Sequence, residues 1–242
     1  MRSLSAAEIL RAWERGLTQS PNRRALELLS PLYPQASLDW LSGLSIGRRD
    51  AELLALREYT FGPEMAAVAG CPQCGGRLDI TLNAAEMRDV SAFWPEDKIA
   101  LRVAGYELQF RLPNSDDLEA LSRDDDGGRM RLLSCCLLSA QQDGAKVESD
   151  QLPDEVVDAV SERMASADPL ADIQLALCCP LCSHHWQAAF DIASFLWREI
   201  ENLAGRLLRD VHALASAYGW HEKDILALSP VRRQFYLAMI GT

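Results

Sequence analysis

Cys71-Pro72-Gln73-Cys74-Gly75-Gly76 and Cys178-Cys179-Pro180-Leu181-Cys182-Ser183-His184-His185-Trp186 decide how the chain is read. Both contain Cys-Pro-x-Cys followed by a small residue. In such a knuckle the two thiolates point at one metal, and the small residue lets the backbone turn N–H groups toward sulfur. Two knuckles supply four ligands, the closed tetrahedral set of a structural zinc site. Aligning the prolines fixes the register: Cys71, Cys74, Cys179 and Cys182 are the expected Zn2+ ligands, and Cys178 is left over. Strand-like stretches surround them: Arg77–Leu82 after the first pair, Ile173–Leu177 before the second and Trp186–Phe190 after it. That is the layout of a zinc ribbon, two hairpin corners clamped by one ion.

The two pairs are separated by 104 residues, far more than in a compact ribbon. Closing such a loop costs roughly 4 kcal/mol. Structural zinc contributes on the order of 10–16 kcal/mol in zinc-finger peptides, so a ribbon split by an insertion is energetically permitted. Other uses of the cysteines fit less well. A redox dithiol normally lies in a βαβ context without proline after the first Cys. Disulfides belong to oxidising compartments. His184 or His185, or Cys178, could replace one ligand, but four thiolates already fill the shell. A catalytic zinc keeps an open position and recruits His or a carboxylate, and no HExxH or deaminase pattern is present. Cys135 and Cys136, flanked by leucines, are expected to be small buried hydrophobes.

Outside the cysteines, the pattern is mostly helical. Ser5 is placed to cap a helix with Ile9, Leu10, Trp13 and Leu17 on its apolar face. A second helix covers Arg24–Leu29, and a third is expected through Leu53, Leu54 and Leu56, with Asp50 as its N-cap. Ala104-Gly105, between Ile99–Val103 and Tyr106–Leu112, signals a hairpin. Pro153-Asp154-Glu155 opens a helix through Val156, Val157, Val160 and Met164. The longest pattern runs from Ile192 to Tyr218 at 3-4 spacing and stops at Gly219. A short helix around Ile225 and Leu226 follows, then another begun by Ser229-Pro230. His212 and His221 read as ordinary helix residues.

The expected fold class is therefore α+β, mainly helical with a split zinc-ribbon-like β core. Its parts are an N-terminal helical region over 1–66, a discontinuous β core over 67–112 and 171–192, an acidic helical insertion over 113–170, and a C-terminal helical region over 193–242.

Charge refines this division. The chain has 242 residues and a formal net charge of −11, but residues 114–172 hold 15 acids and 5 bases, and the remainder is close to neutral. Nucleic-acid binding usually needs a basic stripe, so a zinc-ribbon nucleic-acid-binding or regulatory protein is the second reading, disfavoured by this balance. Asp124-Asp125-Asp126-Gly127-Gly128 does not make an EF-hand loop, because position 12 is Cys135 rather than Glu, and it reads as a solvated loop. No GxSxG elbow, P-loop or dinucleotide-binding glycine fingerprint is present, so no catalytic residue and no organic cofactor site is expected. No apolar run reaches the roughly 20 residues of a membrane span. Glu8, Arg11, Glu14 and Arg15 interrupt any signal-peptide core. The expected location is cytoplasmic.

Two further segments carry a resemblance. One is Ser45-Ile46-Gly47-Arg48-Arg49-Asp50 with Leu53–Pro63, leading into the first knuckle; the other is Leu214–Leu226 followed by Arg232-Arg233-Gln234-Phe235-Tyr236-Leu237. Together they resemble the baseplate hub and hub-assembly-chaperone proteins of T-even-like contractile phages, in the form associated with bacterial contractile injection systems. The resemblance implies a non-enzymatic assembly or structural role, with baseplate, hub or spike proteins of a contractile tail as partners and incorporation into the particle as one location. It implies no nucleic-acid, membrane or small-molecule partner. Tyr218-Gly219-Trp220 and Phe235-Tyr236 are either interface anchors or aromatics closing the domain's own core.

Overall fold

Ser5 starts the first helix through a capping box. The Glu8 N–H donates to Ser5 Oγ at 3.3 Å while Glu8 Oε2 accepts from the Ser5 N–H at 2.8 Å. The computed structural model describes residues 2–89, 98–121 and 127–240. The Asp124-Asp125-Asp126 loop of the sequence reading lies outside them.

Helix α1 spans Ala6–Gly16 and buries Ile9 and Leu10. Leu17, assigned to that face, falls beyond the last turn and is exposed. Helix α2 (Pro21–Leu29) is capped by Ser20 with Pro at its first position, and α3 (Leu38–Ser42) is capped by Ser37. Helix α4 (Ile46–Phe61) begins at Ser45, whose Oγ accepts the Arg48 N–H at 3.3 Å. The expected cap, Asp50, is instead a buried residue of the helix. The earlier serine wins because its side chain reaches the free N–H groups of the first turn, and Gly47 lets another chain segment approach there.

Strands β1 (Glu64–Gly70) and β2 (Arg77–Asn83) form an antiparallel hairpin. Helix α5 (Ala84–Asp89) follows. Strands β3 (Ile99–Val103) and β4 (Tyr106–Phe110) meet at the expected Ala104-Gly105 turn, both residues having positive φ. After helices α6 (Ser115–Ala120) and α7 (Gly128–Cys136) come β5 (Leu137–Gln142) and β6 (Ala145–Lys146). Helix α8 is Asp154–Ala167. A second hairpin, β7 (Ile173–Cys178) and β8 (His185–Phe190), precedes α9 (Ile192–Tyr218), α10 (Glu222–Ala227) and α11 (Pro230–Ile240). Gly219 ends α9 in the left-handed conformation, as its position after the apolar run predicts.

The protein is α+β, and its described residues form two apolar cores. In the larger, Leu26, Leu29, Leu53, Leu54 and Leu56 pack with Leu196, Ile200 and Leu207, so α9 runs against α1, α2 and α4. The smaller joins Leu108, Phe110 and Ala140 to Val156, Val157 and Val160, with α8 covering one face of the sheet β3-β4-β5-β6. The β3–β4 hairpin, grouped with the knuckles on sequence, thus belongs to another sheet, and two strands lie in the stretch expected to be helical. Alternation explains the difference. Ile99, Tyr106, Leu108 and Phe110 turn one apolar face to the sheet's interior, and only α8 presents a matching valine stripe. Of the two adjacent cysteines, Cys136 is buried and Cys135 exposed, since the helix turns only one of them inward.

Candidate metal centre

Each two-stranded hairpin ends in a six-residue turn of the same construction. Gly70 pairs with Arg77 and Cys178 with His185, leaving 71–76 and 179–184 as the connecting turns. In the first, the Cys71 N–H donates to Gly76 O at 2.8 Å and the Gly75 N–H to Cys71 O at 2.9 Å. In the second, Cys179 N–H donates to His184 O and Ser183 N–H to Cys179 O, both at 2.9 Å. The residue after the second cysteine is left-handed in each, with φ 71° at Gly75 and 58° at Ser183. The sequence register Cys71/Cys179 and Cys74/Cys182 is therefore also the structural register.

The two turns face each other. Cys71 Sγ lies 3.7 Å from Cys182 Sγ, and Cys74 Sγ 3.6 Å from Cys179 Sγ. All four sulfurs lie within 4.8 Å of one another, and none forms a disulfide. A tetrahedral ion with metal–sulfur bonds of about 2.3 Å has sulfur–sulfur edges of about 3.8 Å. The donor set and its spacing therefore fit a four-coordinate metal ion. Cys71 and Cys179 are buried, whereas Cys74 and Cys182 are exposed, so the group sits half-sunk at the hairpin tips. Gly76 makes room for this: a Cβ there would lie 2.7 Å from Leu181 Cδ1 and 3.2 Å from Cys74 Sγ. Leu181 passes over the first knuckle while itself largely exposed.

Backbone amides prepare the sulfurs for negative charge. At Cys179 burial opposes ionisation, but N–H donations from Cys182 and Leu181 outweigh it and bring the thiol down to about 7. Cys182 receives the His184 N–H, yet burial and the neighbouring sulfurs push it up to about 12. Cys74 accepts the Gly76 N–H but is also raised, opposed by Cys179, by burial and by Cys71. Cys74 and Cys182 thus hold their protons more tightly beside the other sulfurs, an opposition that a central cation would remove. Cys178 and both neighbouring histidines lie outside the four-sulfur group: the Cys178 thiol lies 4.0 Å from Cys179 O, and His184 stacks against Trp186.

A second long-range contact, absent from the sequence reading, lies at the Ser45–Asp50 segment. Asp168 Oδ2 accepts the Gly47 N–H at 2.9 Å, and its carboxylate also takes the Ser45 hydroxyl, so a residue from the end of α8 caps the start of α4. Arg49 donates to Asp50 Oδ1 at 2.8 Å, to Asn22 Oδ1 at 3.0 Å and to Ser115 Oγ at 3.2 Å. Arg49, Asp50, Ser115 and Asp168 are all buried. Burial raises the Asp50 carboxyl to about 6 despite Arg49, with Asp191 and Asp168 adding to the rise. One signal in the sequence pointed here: a glycine in the first turn of a helix, where it weakens the helix unless another group must come close.

The aromatics near the C-terminus divide. Tyr218 stacks on Trp220 with centroids 4.8 Å apart, and Tyr236 meets both rings edge-on at 6.1 and 4.9 Å, while Phe235 is 66% exposed. No helix among the described residues is long and apolar enough to cross a membrane.

The family model described as T4 bacteriophage base plate protein matches residues 26–197. The matched span runs from α2 into α9 and includes both knuckles and the Gly47–Asp168 contact. Neither the curated proteins nor the solved structures give a significant match.

Proposed function

The chain belongs to the T4 bacteriophage base plate protein family, and from that membership we propose that it helps to build the baseplate or hub of a contractile phage-tail-like injection system. The role is non-enzymatic: an assembly factor or structural component that acts through contacts with other baseplate, hub or spike proteins. It is made in the cytoplasm, with no nucleic acid, membrane or small-molecule substrate as its target. Four sulfurs at tetrahedral spacing support the scaffold half of this reading. Cys71, Cys74, Cys179 and Cys182 hold one structural Zn2+, which closes a split zinc ribbon and fixes the two hairpins as a rigid presenting surface. Thiolate sets also suit other soft metals, so identity is a matter for elemental analysis, with about one zinc per chain as the expected value.

The carrying observation is the family match across 26–197. Deleting the gene in a strain that makes such particles should leave tails unassembled or incomplete by electron microscopy, and affinity-tagged protein should co-purify with baseplate or hub components. Normal particles from the deletion strain would overturn the proposal.

A further inference from the structure

Arg206 and Arg209 lie on the exposed side of α9 and line an open cleft of about 410 Å³ together with Phe61, Glu199 and Asn202. Neither guanidinium has a hydrogen bond or ion pair among the described residues. The nearby carboxylate is already committed. Glu199 accepts from Arg57 Nε at 3.0 Å and from Arg57 Nη2 at 2.9 Å, and the Arg57 side chain is buried. Asp210, next to Arg209 in the chain, is held by Arg233 at 3.1 Å. Three arginines therefore meet one carboxylate around this cleft, on a chain whose 35 acids outnumber its 24 Lys+Arg.

Like charges three residues apart on a helix repel, and no ion pair among the described residues offsets that here. An anion bridging the two would do so. Guanidinium forks suit carboxylates in bidentate geometry, Asn202 adds a neutral amide, and the half-buried Phe61 ring gives an apolar wall. We propose that this cleft docks an acidic segment of a partner protein, whose carboxylates bridge Arg206 and Arg209 while an adjacent apolar side chain lies on Phe61. A nucleic-acid strand is disfavoured, because its affinity grows with the number of phosphates neutralised and, among the described residues, only two free cations line the cleft. The two arginines lie beyond the family-matched residues 26–197, so the cleft adds to what the family describes. The proposal deepens the assembly reading above and rests on it for the choice of a protein partner.

The test is fluorescence anisotropy with the full-length protein and a labelled Glu-Glu-Leu-Glu-Phe-Glu peptide at physiological salt. The Lys-for-Glu version of that peptide and a short single-stranded oligonucleotide serve as competitors. Arg206→Glu with Arg209→Glu should weaken peptide binding by at least about tenfold, while the paired Lys substitutions should retain most of it. Unchanged melting of both variants separates a lost site from a lost fold. Absence of peptide binding, binding indifferent to the charge reversal, or displacement by the oligonucleotide overturns the site. Those results leave co-purification with baseplate components untouched, whereas normal particles from a deletion strain remove the broader role.

Discussion

Two ties hold the ends of the long excursion between β2 and β7, and they are built from opposite materials. The knuckle pair brings together Cys74 and Cys179, 105 positions apart, through a group of four sulfurs whose spacing suits a cation supplied from outside. The Gly47–Asp168 contact joins residues 121 positions apart and is complete in itself, with Arg49 facing Asp50 and Asp168 taking the free N–H of α4. One tie is half-exposed and, on the proposed reading, conditional on metal; the other is buried and needs no added group. The excursion can therefore be loosened at one end and not at the other. Removing the metal should release the hairpin tips, while the polar junction keeps the base of the second core attached to the first.

The largest effect should come from breaking the conditional tie. Cys74→Ser with Cys182→Ser removes half the donor set. If structural zinc is worth on the order of 10–16 kcal/mol against roughly 4 kcal/mol for closure, several kcal/mol are lost. At roughly 2–4 °C per kcal/mol for a chain of this size, that lowers Tm by at least about 10 °C. The larger core contains neither knuckle, so far-ultraviolet circular dichroism at room temperature should keep its helical signature. Chelation of the wild-type protein should reproduce the shift, as followed by melting curves and elemental analysis. A metal-free protein that melts where the wild type does would show that the hairpin tips need no metal.

Breaking the buried tie should cost less. A Cβ on Gly47 would lie 2.0 Å from Asp168 Oδ1, 2.6 Å from its Cγ and 3.0 Å from the Ala171 N, with backbone on one side and a buried carboxylate on the other. Gly47→Ala should therefore destabilise by about 3 kcal/mol, the upper range for overpacking. Asp168→Ala leaves the Gly47 N–H without its acceptor and should cost about 1–3 kcal/mol. The double variant sharpens the reading, because shortening Asp168 also removes the clash. Urea unfolding should give a combined loss smaller than the sum by more than about 1 kcal/mol, and simple additivity would show that the two residues do not act as one contact.

These ties also differ in how far they could be read from the chain. The four-cysteine cluster was legible because knuckle cysteines obey a local spacing rule, and the proline fixed which of the three cysteines at 178–182 lies outside it. Main-core helices were legible because their apolar residues recur at helical spacing and their ends carry Ser or Gly caps, as at Ser5 and Gly219. The polar junction was not, apart from the single hint of a glycine in the first turn of α4. Gly47, Asp168 and Ser115 are ordinary residues whose meaning depends on three distant segments meeting, and no period or motif encodes that. The same reason hid β5, because Leu137–Gln142 follows directly on a helix and gains strand character only by pairing with β4. The Arg206 and Arg209 cleft escaped notice because what marks it is the absence of partners, a property of surfaces in space.

Protonation should probe the junction without any mutation. The Asp50 carboxyl is raised from its ordinary 3.8 to about 6, chiefly by burial. The folded state therefore binds this proton more tightly than the unfolded chain. Its contribution to stability is full below about pH 4, declines as the pH rises through 6, and amounts to at most about 2–3 kcal/mol. Asp168 shifts in the same direction, also through burial. Glu8 does the reverse on the surface: its hydrogen bond to Arg2 holds it at about 2, so its smaller contribution is present above 4.5 and is lost as the pH falls toward 2. Carboxyl-carbon NMR titration should place Asp50 within about a unit of pH 6. A midpoint near 4 would mean that water reaches the junction, and would remove the contrast between a buried tie and a half-exposed one.

The smallest expected effect distinguishes the two knuckles from each other. They share hydrogen bonds and register but not the residue at the left-handed position, which is Gly75 in one and Ser183 at φ 58° in the other. A side chain in that conformation costs roughly 1–2 kcal/mol, which Ser183→Gly relieves. Glycine also frees the unfolded chain, by roughly 0.5–1 kcal/mol in the opposite sense. The two nearly cancel, so Ser183→Gly should change stability by less than about 1 kcal/mol, with relief of strain setting the sign toward stabilisation. Gly75→Ser should be the mirror experiment, destabilising by a similar amount, since nothing lies within 4 Å of a Cβ there and only the backbone conformation opposes it. Equal and opposite shifts in urea midpoint would establish that the knuckles are interchangeable halves of one site. A large loss from Ser183→Gly would assign that serine a contact of its own and make the second knuckle the more specialised half.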